Sequence, residues 1–265
     1  MLYKATHTTR YTYEGPVSQC NSEVRLTPRN IPGQILTNWS IEVEPKPAEI
    51  HTRTDYFGNT TNSFAVLEPH NEFTVTASSI VSLEAAQSLP SGSALEANEF
   101  LWESPHVPYV SALEHYGPSS LPAEELARKL MSEIHRDFTY KPKSTSIETP
   151  LEEVLKSRQG VCQDFAHVMI GALRAKGIAA RYVSGYLRGD AALQGDQASH
   201  AWVSVYIPDK GWQDYDPTND VIPNMSHITL AWGRDYADVT PVKGITIGGG
   251  KHTLDVEVRV QLHLV

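Results

Sequence analysis

Three residues in the second half of the chain have the types and order needed for thiol chemistry. Cys162 lies in SRQGVCQDFAHVMIGALRAK (157–176), His200 in SHAWVSVYI (199–207) and Asp216 in GWQDYD (211–216). A cysteine nucleophile needs a base to take its proton, and the base needs an acceptor to orient it. Behind Cys162, the apolar residues Phe165, Val168, Met169, Ala172 and Leu173 recur at the spacing of one helix face. Gly160 gives a flexible entry and Gly177 a stop. Cys162 therefore falls on the first helical turn, where unpaired N–H groups and the helix dipole stabilise a thiolate. The bland reading is a small buried residue opening a core helix, since free cysteines are often only packed.

His200 and Asp216 sit on two strands joined by the turn Pro208-Asp209-Lys210-Gly211. If Tyr206 pairs with Trp212, then Trp202 faces Asp216, and His200 is Asp216's diagonal neighbour on the same face. A slip of one residue would separate them. In this arrangement Cys162 attacks a carbonyl carbon, and His200 protonates the leaving amine. Asp216 holds the imidazole, and the Cys162 N–H meets the oxyanion. Gln163, Tyr140 and Trp202 are candidates for the second oxyanion donor.

Each residue also has a plainer reading. The chain has 11 histidines, so one alone is weak evidence. Asp216 before Pro217 fits an ordinary turn. Asp164 fits a helix cap, His167 a polar helix flank, and Trp202, Tyr182 and Tyr186 core packing. No metal site is expected, because there is no CxxC, no HExxH and no ligand cluster. Asp214, Asp216 and Asp220 lack the EF-hand spacing. No cofactor loop is expected either: Gly248-Gly249-Gly250 has no GK[ST] after it and reads as a hairpin turn.

The elements around these residues divide the chain into four. Residues 1–85 read as a β-sandwich domain of short strands with turns between, among them Gly15-Pro16 and Asp55–Asn59. Cys20 there reads as an idle thiol. Residues 86–120 read as a connector with a short helical segment, Leu95–Trp102. Residues 121–240 form the catalytic core. It opens with a helix marked by Leu126, Leu130 and Ile134, followed by an extended Phe138–Tyr140. The next helix has Thr149 as N-cap, Pro150 at its first position and Glu152 closing a capping box. After the Cys162 helix come the strand Ala180–Leu187, a polar loop Arg188–Ala198 that would border and gate the site, and the two strands above. The stretch from there to Asp238 reads as irregular. Residues 241–265 form a hairpin, Ile245–Ile247 against Leu254–Leu264. Val256, Val258, Val260, Leu262 and Leu264 make its buried face, and it is expected to return to the amino-terminal sheet.

A net charge of −9 over 265 residues excludes the basic stripe of a nucleic-acid binder. No apolar stretch approaches the roughly 20 residues that span a bilayer. The first residues alternate as a strand rather than forming an apolar leader. Two cysteines far apart fit reduced thiols. The expectation is a cytoplasmic protein with neither membrane nor nucleic-acid partner.

GVCQDFAHVMIGALRAKGIAARYVSGY, then SHAWVSVYIPDKGWQDYDPTND, with the lead-in FTYKPKSTSIETPLEEVLKSRQG, resembles the core of the bacterial transglutaminase-like superfamily of cysteine enzymes. HTTRYTYEGPV, LTPR and DYFGN are similar to the β domain preceding that core in bacterial members. The resemblance implies an α+β fold with a papain-like core, an acyl-enzyme on Cys162, His200 as base and Asp216 as orienter. The implied substrate is a peptide or protein amide. Hydrolysis is the preferred outcome, and transfer to an amine, as in a protein-glutamine transglutaminase, the alternative. A non-catalytic binding module would be expected to have lost a triad residue. An N-acetyltransferase would be expected to show RGGxC in place of SRQGVC.

Overall fold

The structure is a computed structural model and describes residues 1–85, 94–118, 120–188, 193–195 and 198–264. Parts of two expected segments, 86–93 and 119 of the connector and 189–192 and 196–197 of the polar loop, lie outside the described residues. In chain order the strands β1 (Leu2–Val24), β2 (Gln34–Glu44), β3 (Ile50–Thr54), β4 (Thr60–Val66) and β5 (His70–Leu83) come first. Next are α1 (Ala94–Ala97), α2 (Ala123–Asp137), β6 (Thr139–Tyr140), α3 (Leu151–Ser157), β7 (Gln159–Gly160) and α4 (Cys162–Arg174). The chain continues with β8 (Ala180–Leu187), β9 (His200–Ile207), β10 (Gly211–Tyr215), β11 (His227–Gly233), α5 (Tyr236–Val239), β12 (Val242–Gly248) and β13 (His252–Leu262).

The amino-terminal half is built on β1, a strand of 23 residues shared by two layers. Its first half lies between β5 and β13, and its second half between β4 and β12. With β2 on β5 and β3 on β4, this gives a sandwich whose layers meet at the bend in β1. Gly15-Pro16 is that bend, not the expected turn. The carboxy-terminal hairpin holds both sides of it, Gly15 N–H donating to Gly249 O and Gly249 N–H to Pro16 O. One face of β1 serves two cores. Tyr3 and Ala5 join the core of the helix-and-sheet half, whereas Tyr13, Val17, Cys20 and Val24 close the sandwich. In β13 only Val258 and Val260 are buried; Leu262 and Leu264, expected inside, are exposed. The inward face of that strand extends only as far as the helix-and-sheet half that covers it.

The helix-and-sheet half is an antiparallel sheet, β10-β9-β8-β11, with α4 packed against it and α2 and α3 outside. α4 is buried from Cys162 to Leu173 apart from Gln163, so it is the central helix of the molecule. Gly177, at φ +71°, ends it in the left-handed conformation expected of a helix stop. Arg174 in its last turn is half-buried and donates to the carbonyls of Phe100, Ala180 and Arg234 and to Ser104 Oγ, tying the connector to the core. α3 starts without the expected Thr149 cap, because the Thr149 hydroxyl accepts the Ser146 N–H instead. β11 corrects the expectation of irregular chain before Asp238. Six of its seven residues are buried, which erases the alternation that marks a half-buried strand.

The two halves meet along the outer edge of β11. Two side-chain amides there act as a neighbouring strand would. Gln34 donates to Thr229 O at 2.8 Å and accepts Thr229 N–H at 2.8 Å. Asn59 donates to Trp232 O at 2.9 Å and accepts Trp232 N–H at 3.0 Å. Beside them Trp232 is stacked between the guanidinium groups of Arg29 and Arg181, and Arg181 also lies over Trp212. No helix among the described residues is long and apolar enough to cross a membrane.

Candidate active site

Cys162 is placed by the way its helix begins. The residue before it, Val161, is extended, and the Asp164 carboxylate reaches back to accept the Val161 N–H at 2.7 Å and the Thr145 hydroxyl at 2.7 Å. This is the expected cap. Gly160 is required beside it, since a Cβ there would lie 2.6 Å from Asp164 Oδ2. The parallel pair β6–β7 fixes the approach, setting Tyr140 beside Gly160. Cys162 is thus the first residue of a buried helix, at its electropositive end.

His200 opens β9, and Asp216 follows directly on β10. Trp212 pairs with Tyr206, the register that puts both on one face. His200 Nε2 donates to Asp216 Oδ2 at 2.9 Å, and neither side chain is exposed at all. Nδ1 is the ring nitrogen left for Cys162. It makes no hydrogen bond with the described residues, and the thiol acts on the imidazole through its charge. Such contacts are often loose before substrate binds. Burial alone would push His200 down; the charges of Asp216 and Cys162, with the hydrogen bond to Asp216, outweigh it and raise the imidazole. Burial likewise opposes ionisation of Asp216, but the His200 charge and the hydrogen bonds from His200 and His227 hold its carboxyl well below the usual range.

Asp216 is held from several sides. Its Oδ1 accepts the N–H groups of Thr218 at 2.9 Å and Asn219 at 3.3 Å. Its Oδ2 accepts Asn219 Nδ2 at 2.8 Å and His227 Nε2 at 3.2 Å besides His200. The Nε2 atoms of both histidines and the carboxylate lie within 4.8 Å of one another, a spread a divalent ion could use. Here the carboxylate oxygens are committed to N–H donors instead. Asn219 also accepts the Gln194 N–H at 2.8 Å, linking the polar loop to Asp216. In that loop Gly195 sits over His200: a Cβ there would lie 2.7 Å from Nδ1.

Of the candidate oxyanion donors, Trp202 is removed, because its Nε1 donates to Asp214 Oδ2 at 3.0 Å. It is core, lying across His200 and His227, with room made by Gly185, where a Cβ would meet the Trp202 ring at 2.4 Å. Tyr140 is half-buried, and burial, then the charges of Cys162 and Asp216, push its phenol up to about 12, so it stays a hydrogen donor near the thiol. His167, expected on the helix flank, is buried, stacks on His106 and accepts the Tyr236 N–H; burial is the first cause of its fall to about 3.

Residues 115–217 match the Transglutaminase-like superfamily and residues 3–82 the Bacterial transglutaminase-like N-terminal region. An uncharacterized protein of Mycobacterium tuberculosis is 38% identical over 97% of this chain and 92% of its own length. The chain belongs to the transglutaminase-like superfamily. Cys162, His200 and Asp216 all fall inside the superfamily match. A protein-glutamine gamma-glutamyltransferase of Pseudomonas aeruginosa is 35% identical over 41% of this chain and 17% of the relative. The fold is shared almost end to end with a solved structure from Cytophaga hutchinsonii, provisionally assigned as a cysteine protease. Its TM-score is 0.81 at 21% identity, covering 98% of this chain and 90% of that one.

His227, Asn219 and Gly195 are the site residues that sequence reading passes over. Asn219 stands in the DPTN end quoted above, a usable signal. His227 had none, since its strand carries no alternation.

Proposed function

We propose that this chain is a cysteine enzyme that forms an acyl-enzyme from an amide or peptide bond and passes the acyl group to water. The observation that carries this reading is the buried His200–Asp216 pair at 2.9 Å, beside a cysteine at a helix N-terminus that acts on the same imidazole. Asp216 accepts from Nε2 and so places the proton-carrying nitrogen Nδ1 on the thiol side. Cys162 Sγ attacks the carbonyl carbon as a thiolate. The Cys162 N–H, with Tyr140 as second donor, meets the oxyanion. His200 Nδ1–H then passes its proton to the amine as the C–N bond breaks, leaving a thioester. Water attacks the thioester, His200 takes its proton, and the acid leaves as Cys162 regains the thiolate. An amine in place of water gives a new amide by the same steps. The partial similarity to the Pseudomonas transglutaminase favours that second reading.

The test is the rate of Cys162 alkylation by iodoacetamide against pH, read by mass spectrometry, in wild type and His200→Ala. Labelling that is fast below pH 7 and slows sharply in His200→Ala is expected. A rate that rises only near the free-thiol value of roughly 8.5 and ignores His200→Ala would sink the reading. Amide substrates assayed with and without added amines then decide between water and amine.

A further inference from the structure

The catalytic Asp216 accepts from two histidines, and only one of them faces the thiol. His227 opens β11, is buried, and points Nε2 at the same carboxylate oxygen that His200 uses. A carboxylate only accepts, so His227 Nε2 must carry a hydrogen. Burial is the leading reason that His227 stays neutral, outweighing the pull of Asp216. Its Nδ1 is then an acceptor, and the Ser226 hydroxyl stands 2.9 Å from it, able to donate. The Trp202 ring meets it edge to face at 5.1 Å, so the imidazole is confined as well as bonded. The charged or titratable groups around it are Asp216, His200 and Asp214. Its strand is anchored on one side by β8 and on the other by Gln34 of the amino-terminal half, which grips Thr229 two residues away.

We infer that His227 is a positioning residue for the triad: as a fixed neutral donor it holds the Asp216 carboxylate ionised and aimed at His200. The amino-terminal half, by fastening β11, thereby sets the aim of a catalytic group on the other half. This deepens the thiol-enzyme reading above and rests on it. Without His227, Asp216 Oδ2 loses one donor in a buried site, the carboxylate takes a proton more readily, and the imidazolium loses its counter-charge at low pH.

The experiment is the pH profile of Cys162 alkylation in wild type, His200→Ala, His227→Ala and His227→Gln, with near-ultraviolet circular dichroism as the check on folding. A hydrogen bond to a charged group is worth enough to move the acid limb of the His227→Ala profile upward by about one to two pH units. On that limb labelling then falls roughly ten-fold or more for each unit, with little change on the alkaline plateau. His227→Gln, whose amide can donate from nearly the same place, should recover most of the shift. A His227→Ala profile that superimposes on wild type overturns the inference. So does a folded His227→Gln that shifts as far as the alanine variant, since mere packing would then explain both. These failures are distinct from failure of the triad itself, which shows as a wild-type profile indifferent to His200→Ala.

Discussion

Among single residues, the decisive contacts are those that leave His200 one free nitrogen. Gly195 guards that nitrogen. Its φ of +97° belongs to glycine, and the space a side chain would fill already holds Nδ1 at 2.7 Å. Gly195→Ala is expected to slow Cys162 alkylation at neutral pH by about ten- to a hundred-fold, as a displacement of about 1 Å at a reacting group does. The strained alanine should also lower the thermal midpoint by a few degrees; a normal alkylation rate would show that the loop yields freely. Cys162, His200 and Asp216 were legible because their chemistry restricts the choice of residue, and because a period of two lets register be tested on paper. Trp202 as oxyanion donor was not excluded on paper, since only the fold shows its N–H spent on Asp214.

Among the elements, β11 stands out: it was not legible, and both halves depend on it. A strand buried on both faces offers no alternation, and HITLAWG reads equally well as loop. The amides that cap it were hidden for a different reason. Asn59 lies in a DYFGN turn, and Asn is an ordinary turn residue, so nothing local says that its side chain crosses to another sheet. It makes two hydrogen bonds to Trp232 and accepts from Arg29 Nη1 at 2.5 Å. Asn59→Leu, close in volume, leaves the Trp232 N–H and C=O without their partner. The expected loss is about 1–3 kcal/mol for each group stranded away from water, read as a lower denaturation midpoint in urea. A midpoint equal to wild type would mean that water replaces the amide and the edge is open.

For the whole molecule, buried neutral histidines set the acid limit. His7 falls to about 4 and His167 to about 3, in each case chiefly by burial. The unfolded chain takes both protons near 6.5, whereas the folded chain refuses them until those lower values. A lowered folded value gives stability that is complete above 6.5 and is lost as pH falls toward the folded value. His200, raised in the fold, is protonated in both states at pH 5 and adds no slope there. The protons taken up on unfolding by His7 and His167 amount to about 3 kcal/mol per pH unit between roughly pH 6 and 4, and His227, also lowered chiefly by burial, adds to the loss in the same direction. Urea unfolding of His7→Gln across that range should lose about 1.4 kcal/mol per pH unit from the slope; an unchanged slope would place the acid sensitivity elsewhere.

The overall class, a β half before a helix-and-sheet core, could be read from periodicity and from the family motifs. The way the halves interlock could not, because it depends on pairing between distant residues. Tyr3 lies opposite Leu262, and Tyr13 opposite His252. During synthesis this has a consequence in time. β1 leaves the ribosome with one long flank unpaired, and β13, which covers it, is made only after all the chain that lies between them. Until β13 is made, the long flank of β1 is an open edge exposed to other chains.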